Sequence, residues 1–151
     1  MRLVLDTNIL IDYAIDRQPF AESAGLLMEL GYLRELELWI GTSQVSDLVY
    51  VITDGGRAAQ AEYAKETMRK LRKILHIYAT DEEDYDAVAA SAWDDLEDAF
   101  VFQTALKVKA DAIITRNRKG FAKSPLKTFD CDGLFDWLRT DHGLDYGLVA
   151  F

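Results

Sequence analysis

The sequence predicts an α/β fold: a three-layer α/β/α sandwich around a central, mostly parallel sheet of about five strands. Three observations predict it. Short apolar runs that read as buried strands alternate with helical segments along the chain, the order expected of a parallel sheet covered on both faces. No repeat, low-complexity tract or Pro/Gly-rich linker interrupts the 151 residues. With 50% hydrophobic residues, a chain of this length has enough apolar surface for one sizeable core. A single domain over residues 1–151 is therefore expected.

The elements follow in order. "RLVLD" reads as a short buried strand, and "NILIDYAI" as a helix entered through Thr7 or Asn8 as a cap. After Pro19, "FAESAGLLMELGYLREL" has helical periodicity through Ala24, Leu27 and Met28, less clear around Gly31. "LELWIG" is a second strand ending at Gly41. Thr42 or Ser43 then caps "QVSDLVYVIT", which stops at Asp54-Gly55-Gly56. A long amphipathic helix carries Ala61, Ala64, Met68, Leu71 and Leu75 on one face. Lys65, Arg69, Lys70, Arg72 and Lys73 lie on the other, either as a solvated surface or as a phosphate contact.

"HIYA" is a third strand, and "TDEE" from Thr80 resembles a capping box for a helix through Tyr85, Val88 and Ala89. "DDLEDAFVFQTALKVKA" is the clearest helix, and "DAIIT" behind it is a β-prone buried strand. A strand near "KTF" and a helix from about Asp132 to Arg139 complete the pattern.

Composition narrows the setting. The 26 acidic and 17 basic residues give a net charge of −9, which argues against indiscriminate attraction to nucleic acid. A carboxylate cluster holding cations would still approach phosphate. The single Cys131 has no internal disulfide partner, and no motif joins it to His76 or His142 as a metal site. There is neither a signal-peptide core nor an apolar stretch of membrane-spanning length. A soluble, cytoplasmic protein with no membrane partner is expected.

Candidate chemistry starts at Asp6, which follows the first strand directly. In open parallel sheets, ligands bind beyond the carboxyl ends of the strands where the connection order reverses. Asp98 is the best companion. The apolar stripe Val101, Phe102, Ala105, Leu106, continued backwards by three and four residues, lands on it. Burying a carboxylate there is costly unless it is paired or binds metal. Asp94 with Glu97, by contrast, resembles a capping box, and acids are favourable at a helix start.

Asp47 shares a helix face with Tyr50 and Val51, away from Val45, Leu48, Val49 and Ile52, so it points inward only if its helix is buried on two sides. Thr115 and Asn117 follow the "DAIIT" strand as Asp6 follows the first. Asn117 is equally readable as a turn residue or as a hydrogen-bonding partner for a ligating water or phosphate. Asn8, Thr115, Asp95 and Glu97 are candidate supporting residues beside this set. Arg116, Arg118, Lys119 and Lys123 are candidates to steer a nucleic-acid strand. Trp39, Trp93 and Trp137 read as core or interface residues.

"LDTNILID", an acid in the helix after the second strand, and "DLEDAFVFQTALKVKADAIITRNRKGF", in that order, resemble the PIN domain, the small metal-dependent ribonuclease module of VapC-type toxins. The resemblance covers roughly residues 2 to 130. It implies Asp6, Asp47 and Asp98 as ligands of Mg²⁺ or Mn²⁺, with Asn117 in the fourth catalytic position. Many relatives have Glu in place of Asp47 and Asp in place of Asn117. The resemblance further implies an RNA substrate, a small antitoxin partner and a homodimer, to which the apolar ending "LVAF" lends weak support. The non-enzyme alternative is a PIN-like scaffold, inactive through the Asp47 and Asn117 departures, that binds RNA or protein.

Other classes fit less well. A haloacid-dehalogenase-type phosphotransferase requires a second Asp where Asn8 stands, and a receiver domain requires an acid adjacent to Asp6. Dinucleotide binding and P-loop chemistry lack their glycine and lysine motifs.

Overall fold

β1 (Arg2–Leu5) is the axis of the molecule. Leu3, Val4 and Leu5 have no solvent exposure, and their alternation sends Leu3 and Leu5 into one apolar cluster and Val4 into another. A strand buried on both faces in this way belongs at the centre of a covered sheet. In the computed structural model, which describes residues 1–148, β1 lies between β2 (Glu37–Gly41) and β4 (Ala112–Ile114). β3 (Leu75–Tyr78) and β5 (Lys127–Phe129) form the edges, giving the all-parallel order β3-β2-β1-β4-β5.

Leu3 and Leu5 pack with α1 (Thr7–Ala14), α2 (Ala21–Tyr32), α3 (Val45–Ile52), α4 (Ala61–Ile74) and α7 (Cys131–His142) on one face. Val4 packs with α6 (Leu96–Lys107), which crosses the other face and carries α5 (Glu82–Ala89) on its side. This is the three-layer sandwich expected from the sequence. Among the described residues, no helix is long and apolar enough to cross a membrane. The Val-Ala-Phe ending on which the homodimer expectation leaned lies outside the described residues.

Several boundaries differ from expectation, each for a local reason. Asp6 itself caps α1, in place of Thr7 or Asn8, because its carboxylate accepts from the Thr7 N–H. Asp81 rather than Thr80 caps α5, through a reciprocal box with Asp84. Asp95 rather than Asp94 caps α6, accepting from the N–H groups of Glu97 and Asp98. Leu75, expected on the α4 face, instead begins β3 opposite Leu38.

α2 runs through Gly31 because the helix presses on the sheet there. A Cβ on Gly31 would stand 2.5 Å from Leu38 Cδ1. α3 stops at Asp54, Gly55 and Gly56, which take φ of 51°, 81° and 87°, values that glycine adopts without steric penalty and that Asp tolerates better than most residues. The three tryptophans are half-buried and stacked: Trp39 on His76, Trp93 on Phe102, and Trp137 on Phe129.

The order of connections locates a crevice. From β1 the chain steps outward to β2 and β3, then returns across the sheet to β4 on the other flank of β1. The reversal falls at the carboxyl ends of β1 and β4, neighbours whose following segments leave toward opposite edges of the sheet, where parallel sheets bind ligands. Truncating the central strand tests its place in the core. Leu3→Ala is expected to cost about 2–5 kcal/mol, read from the midpoint of urea unfolding.

Candidate active site

Asp6 occupies the switch point and is only 8% exposed. Its Oδ1 accepts from the Thr7 N–H at 2.7 Å. Its Oδ2 accepts from the Thr115 hydroxyl at 2.6 Å and from Asn8 Nδ2 at 3.0 Å. Burial pushes its carboxyl above the usual range, the Thr115 and Thr7 hydrogen bonds pull it back, and repulsion from Asp95 adds to the rise. Thr115, with no exposure, also accepts from the Asn117 N–H at 2.9 Å and from Asn8 Nδ2 at 3.3 Å. One hydroxyl thus ties the ends of β1 and β4 together.

Asp98 faces Asp6 from the first turn of α6. Asp98, Val101 and Ala105 are buried, so the inward stripe read from the sequence exists, although Leu106 is 46% exposed and the stripe continues through Val108 instead. Asp98 Oδ2 is buried and has no hydrogen-bond partner among the described residues. Burial pushes its carboxyl up to about 6, with Asp6, Asp95 and Glu97 adding repulsion. A buried carboxylate oxygen without a donor is costly, and a cation or a proton would relieve it.

The other acids arrange themselves around this pair. Asp6, Thr7, Ser43, Gln44, Asp47, Glu97 and Asp98 line one cleft of about 80 Å³, together with Phe100 and Val101. α3 is buried on one side only, through Leu48 and Ile52, while Tyr50 is 64% exposed. Asp47 therefore reaches the cleft from its exposed rim rather than from the interior. Repulsion from Asp47 is the main reason the Glu97 carboxyl is raised, followed by burial and by Asp95 and Asp6. Asp95 is the exposed cap of α6.

Asn117 caps a short 3-10 turn (Arg118–Phe121), its Oδ1 accepting from the Gly120 N–H at 3.3 Å. It meets Asp98 across Gly120. A Cβ at Gly120 would lie 2.3 Å from Asp98 Oδ2 and 2.5 Å from Asn117 Nδ2. The missing side chain leaves the space that the two polar ends share.

The basic candidates divide. Arg116 turns away from the cleft and is held by Asp12, Nε to Oδ2 at 2.6 Å and Nη2 to Oδ1 at 3.1 Å. Lys123 bridges to the Ala92 carbonyl and, at 3.3 Å, to Asp94. Arg118 and Lys119 are exposed, and among the described residues neither has an ion-pair partner. The basic face of α4 does not line this cleft.

Sequence reading missed three contributors. Gln44 is buried, donates to the Leu5 carbonyl at 2.7 Å and accepts from the Gly41 N–H at 2.9 Å. It locks the loop after β2 onto β1. Ser43, which local pattern offers only as a cap, presents a second cleft oxygen that is buried and unpartnered among the described residues. Gly120 approaches Asp98 closely, through contacts that local pattern does not reveal.

A PIN domain model matches residues 2–119, most of the chain and all of the cleft-lining positions. The chain belongs to the PIN domain family. No curated protein matches it significantly. Among solved structures, VapBC2 from Rickettsia felis bound to a DNA fragment from its promoter is similar, with TM-score 0.63 and 19% identity over 86% of this chain and 98% of that one. FitAcB from Neisseria gonorrhoeae gives 0.62 and 16% over 85% and 97%. Mycobacterium tuberculosis VapC20, a sarcin-ricin loop cleaving toxin, gives 0.59 and 10% over 81% and 95%. At these identities the likeness is one of fold, and the PIN sheet and its flanking helices are common to all.

Two predictions test the geometry. The folded-state pKa of Asp98, about 6, lies above its ordinary value of 3.8, so the folded form prefers the neutral acid. Asp98 therefore supports the fold fully below about pH 4 and loses that support as pH rises through about 6. In metal-free buffer, Asp98→Asn should gain stability relative to the parent between pH 4 and 7 and match it more closely below, as measured by urea unfolding. Gly120→Ala should cost the fold less than about 1 kcal/mol, because both crowded groups are ends of side chains that can swing away. The same change should shift the Asn117 side-chain amide in NMR spectra.

Proposed function

We propose that the whole chain, residues 1–151, acts as one PIN-like nuclease domain, a cytoplasmic metal-dependent endoribonuclease and the toxin of a toxin-antitoxin pair. The observation that carries this reading is the unpartnered, buried Asp98 Oδ2 facing Asp6 in one cleft at the switch point. The donor set fits a hard cation. Mg²⁺ typically takes one or two carboxylates and keeps several waters, and among the described residues no cluster of three or more His, Cys, Asp or Glu forms a ready-made cage.

Asp6 and Asp98 would hold Mg²⁺ or Mn²⁺, with Asp47 at the rim as a third, outer ligand. When bound, such an ion lowers the pKa of a coordinated water and offsets charge on the phosphate being cleaved. The protein's own residues do the rest. Thr115 and Asn8 fix the Asp6 carboxylate, and Asp95, by capping α6, fixes the start of the helix that carries Asp98. Asn117 Nδ2 is the hydrogen-bond donor best placed beside Asp98 for a phosphate oxygen or the attacking water. Glu97, its carboxyl raised chiefly by Asp47, is a supporting acid beside the pair. The exposed Arg118 and Lys119, in the turn that Asn117 caps, would be the contacts for a single strand of RNA.

VapBC and FitAB complexes in the same fold support an antitoxin partner, and the net charge of −9 suits a basic one whose Arg or Lys enters the cleft in place of metal. A scaffold without activity draws support from Asn117, which supplies an amide where an acid would bind a cation more strongly.

The purified chain should cleave single-stranded RNA only with Mg²⁺ or Mn²⁺, and Asp98→Asn should lower the rate by about 10²-fold or more. Mn²⁺ at about 100 times its Kd should raise Tm by about 5–10 °C. Robust folding without cleavage of any RNA, or a Tm indifferent to Mn²⁺, would select the scaffold.

A further inference from the structure

Asp12 is a carboxylate with no solvent exposure, outside the cleft, and its partner is the residue next to Thr115. α1 carries Asn8 and Asp12 one turn apart, on the same side, and both grip the segment that leaves β4. Asn8 accepts from the Arg116 N–H at 3.3 Å and donates to the Thr115 hydroxyl at 3.3 Å. Asp12 takes the Arg116 guanidinium through two hydrogen bonds, and the Phe20 ring covers its face at 4.4 Å from the centroid. Arg17 adds a weaker contact to Asp12 at 3.8 Å.

A planar fork held by two oxygens and an aromatic ring fixes direction as well as distance. The backbone so fixed is the one that presents the Thr115 hydroxyl to Asp6 and sets Asn117 opposite Asp98. We propose that Asp12 and Arg116 are positioning residues: their ion pair, buried on the Asp12 side, clamps the β4 exit to α1 and thereby holds Thr115 and Asn117 in register with Asp6 and Asp98. Arg116 on this account does not contact RNA.

The inference rests on the nuclease reading, and its test separates the two. Full-length parent, Asp12→Asn, Arg116→Met, the double variant and Arg116→Lys are compared by calorimetric titration with Mn²⁺ and by kcat, KM and the salt dependence of KM on single-stranded RNA. Loss of either partner should weaken Mn²⁺ binding or lower kcat by about 10–100-fold, with KM within about twofold and its salt slope unchanged. The double variant should be no worse than the singles, because both remove one interaction. Arg116→Lys, which keeps the charge and loses the fork, should fall between.

A raised KM with a salt slope reduced by about one in Arg116→Met, and normal turnover in Asp12→Asn, would make Arg116 an RNA contact and overturn the clamp. So would a lowered Tm with kcat and Mn²⁺ affinity unchanged. If Asp12→Asn does not fold, parental kcat and Mn²⁺ affinity in Arg116→Lys overturn it. A parent that binds Mn²⁺ without cleaving RNA sinks the nuclease reading alone, and equal Mn²⁺ affinities across the variants would then sink the clamp. A parent that does neither sinks both.

Discussion

The bond from the Thr115 hydroxyl to Asp6, 2.6 Å long and wholly buried, is the interaction on which the rest of the cleft depends. It joins two neighbouring strands at the edge where the chain reverses direction across the sheet. A hydroxyl is the economical group for this task, since it donates to the carboxylate and accepts from the Asn117 N–H at once. An apolar residue at position 115 would strip Asp6 of its shortest donor. The loop to Asn117 would lose its anchor in the same stroke.

Around that bond the protein keeps two carboxylates in unequal surroundings. Asp6 is surrounded by donors from Thr7, Asn8 and Thr115, whereas Asp98 has a buried oxygen with none. Burial raises both, but only the first has its charge compensated by the protein. The unequal treatment makes the cleft a place of stored electrostatic cost, held by the packing of Val101, Ala105 and Val108 against Val4 and Ile113 behind it. Stability of the core and readiness of the cleft are thus coupled through α6.

Much of this was legible in the chain. Solid apolar runs separated by amphipathic segments gave away the covered parallel sheet, though not the order of its strands, and the step of three and four residues from Val101 and Ala105 leads back to Asp98. Local signals fall one residue off where neighbouring side-chain acceptors compete for a cap, as at Thr80-Asp81 and Asp94-Asp95, because either can accept from a free helical N–H. Asp47 required knowledge of which sides of α3 are covered, which is a property of the neighbours of that helix. Asp12 and Arg116, 104 positions apart, carry no periodic signal that announces their pairing, and Arg116 sits in a run of basic residues that invites a solvent-facing reading.

The sequence distance inside the cleft has a kinetic consequence. Asp6 and Thr115 are separated by 109 positions, so the contact closes one of the longest loops the chain can make, and such loops are the slow, entropically expensive ones. A ribosome that has delivered the first three strands and their helices has made a polypeptide with half a cleft. The protein gains its working geometry only after Thr115 has emerged, and a truncated or unfinished chain carries the first acid without the residue that disciplines it.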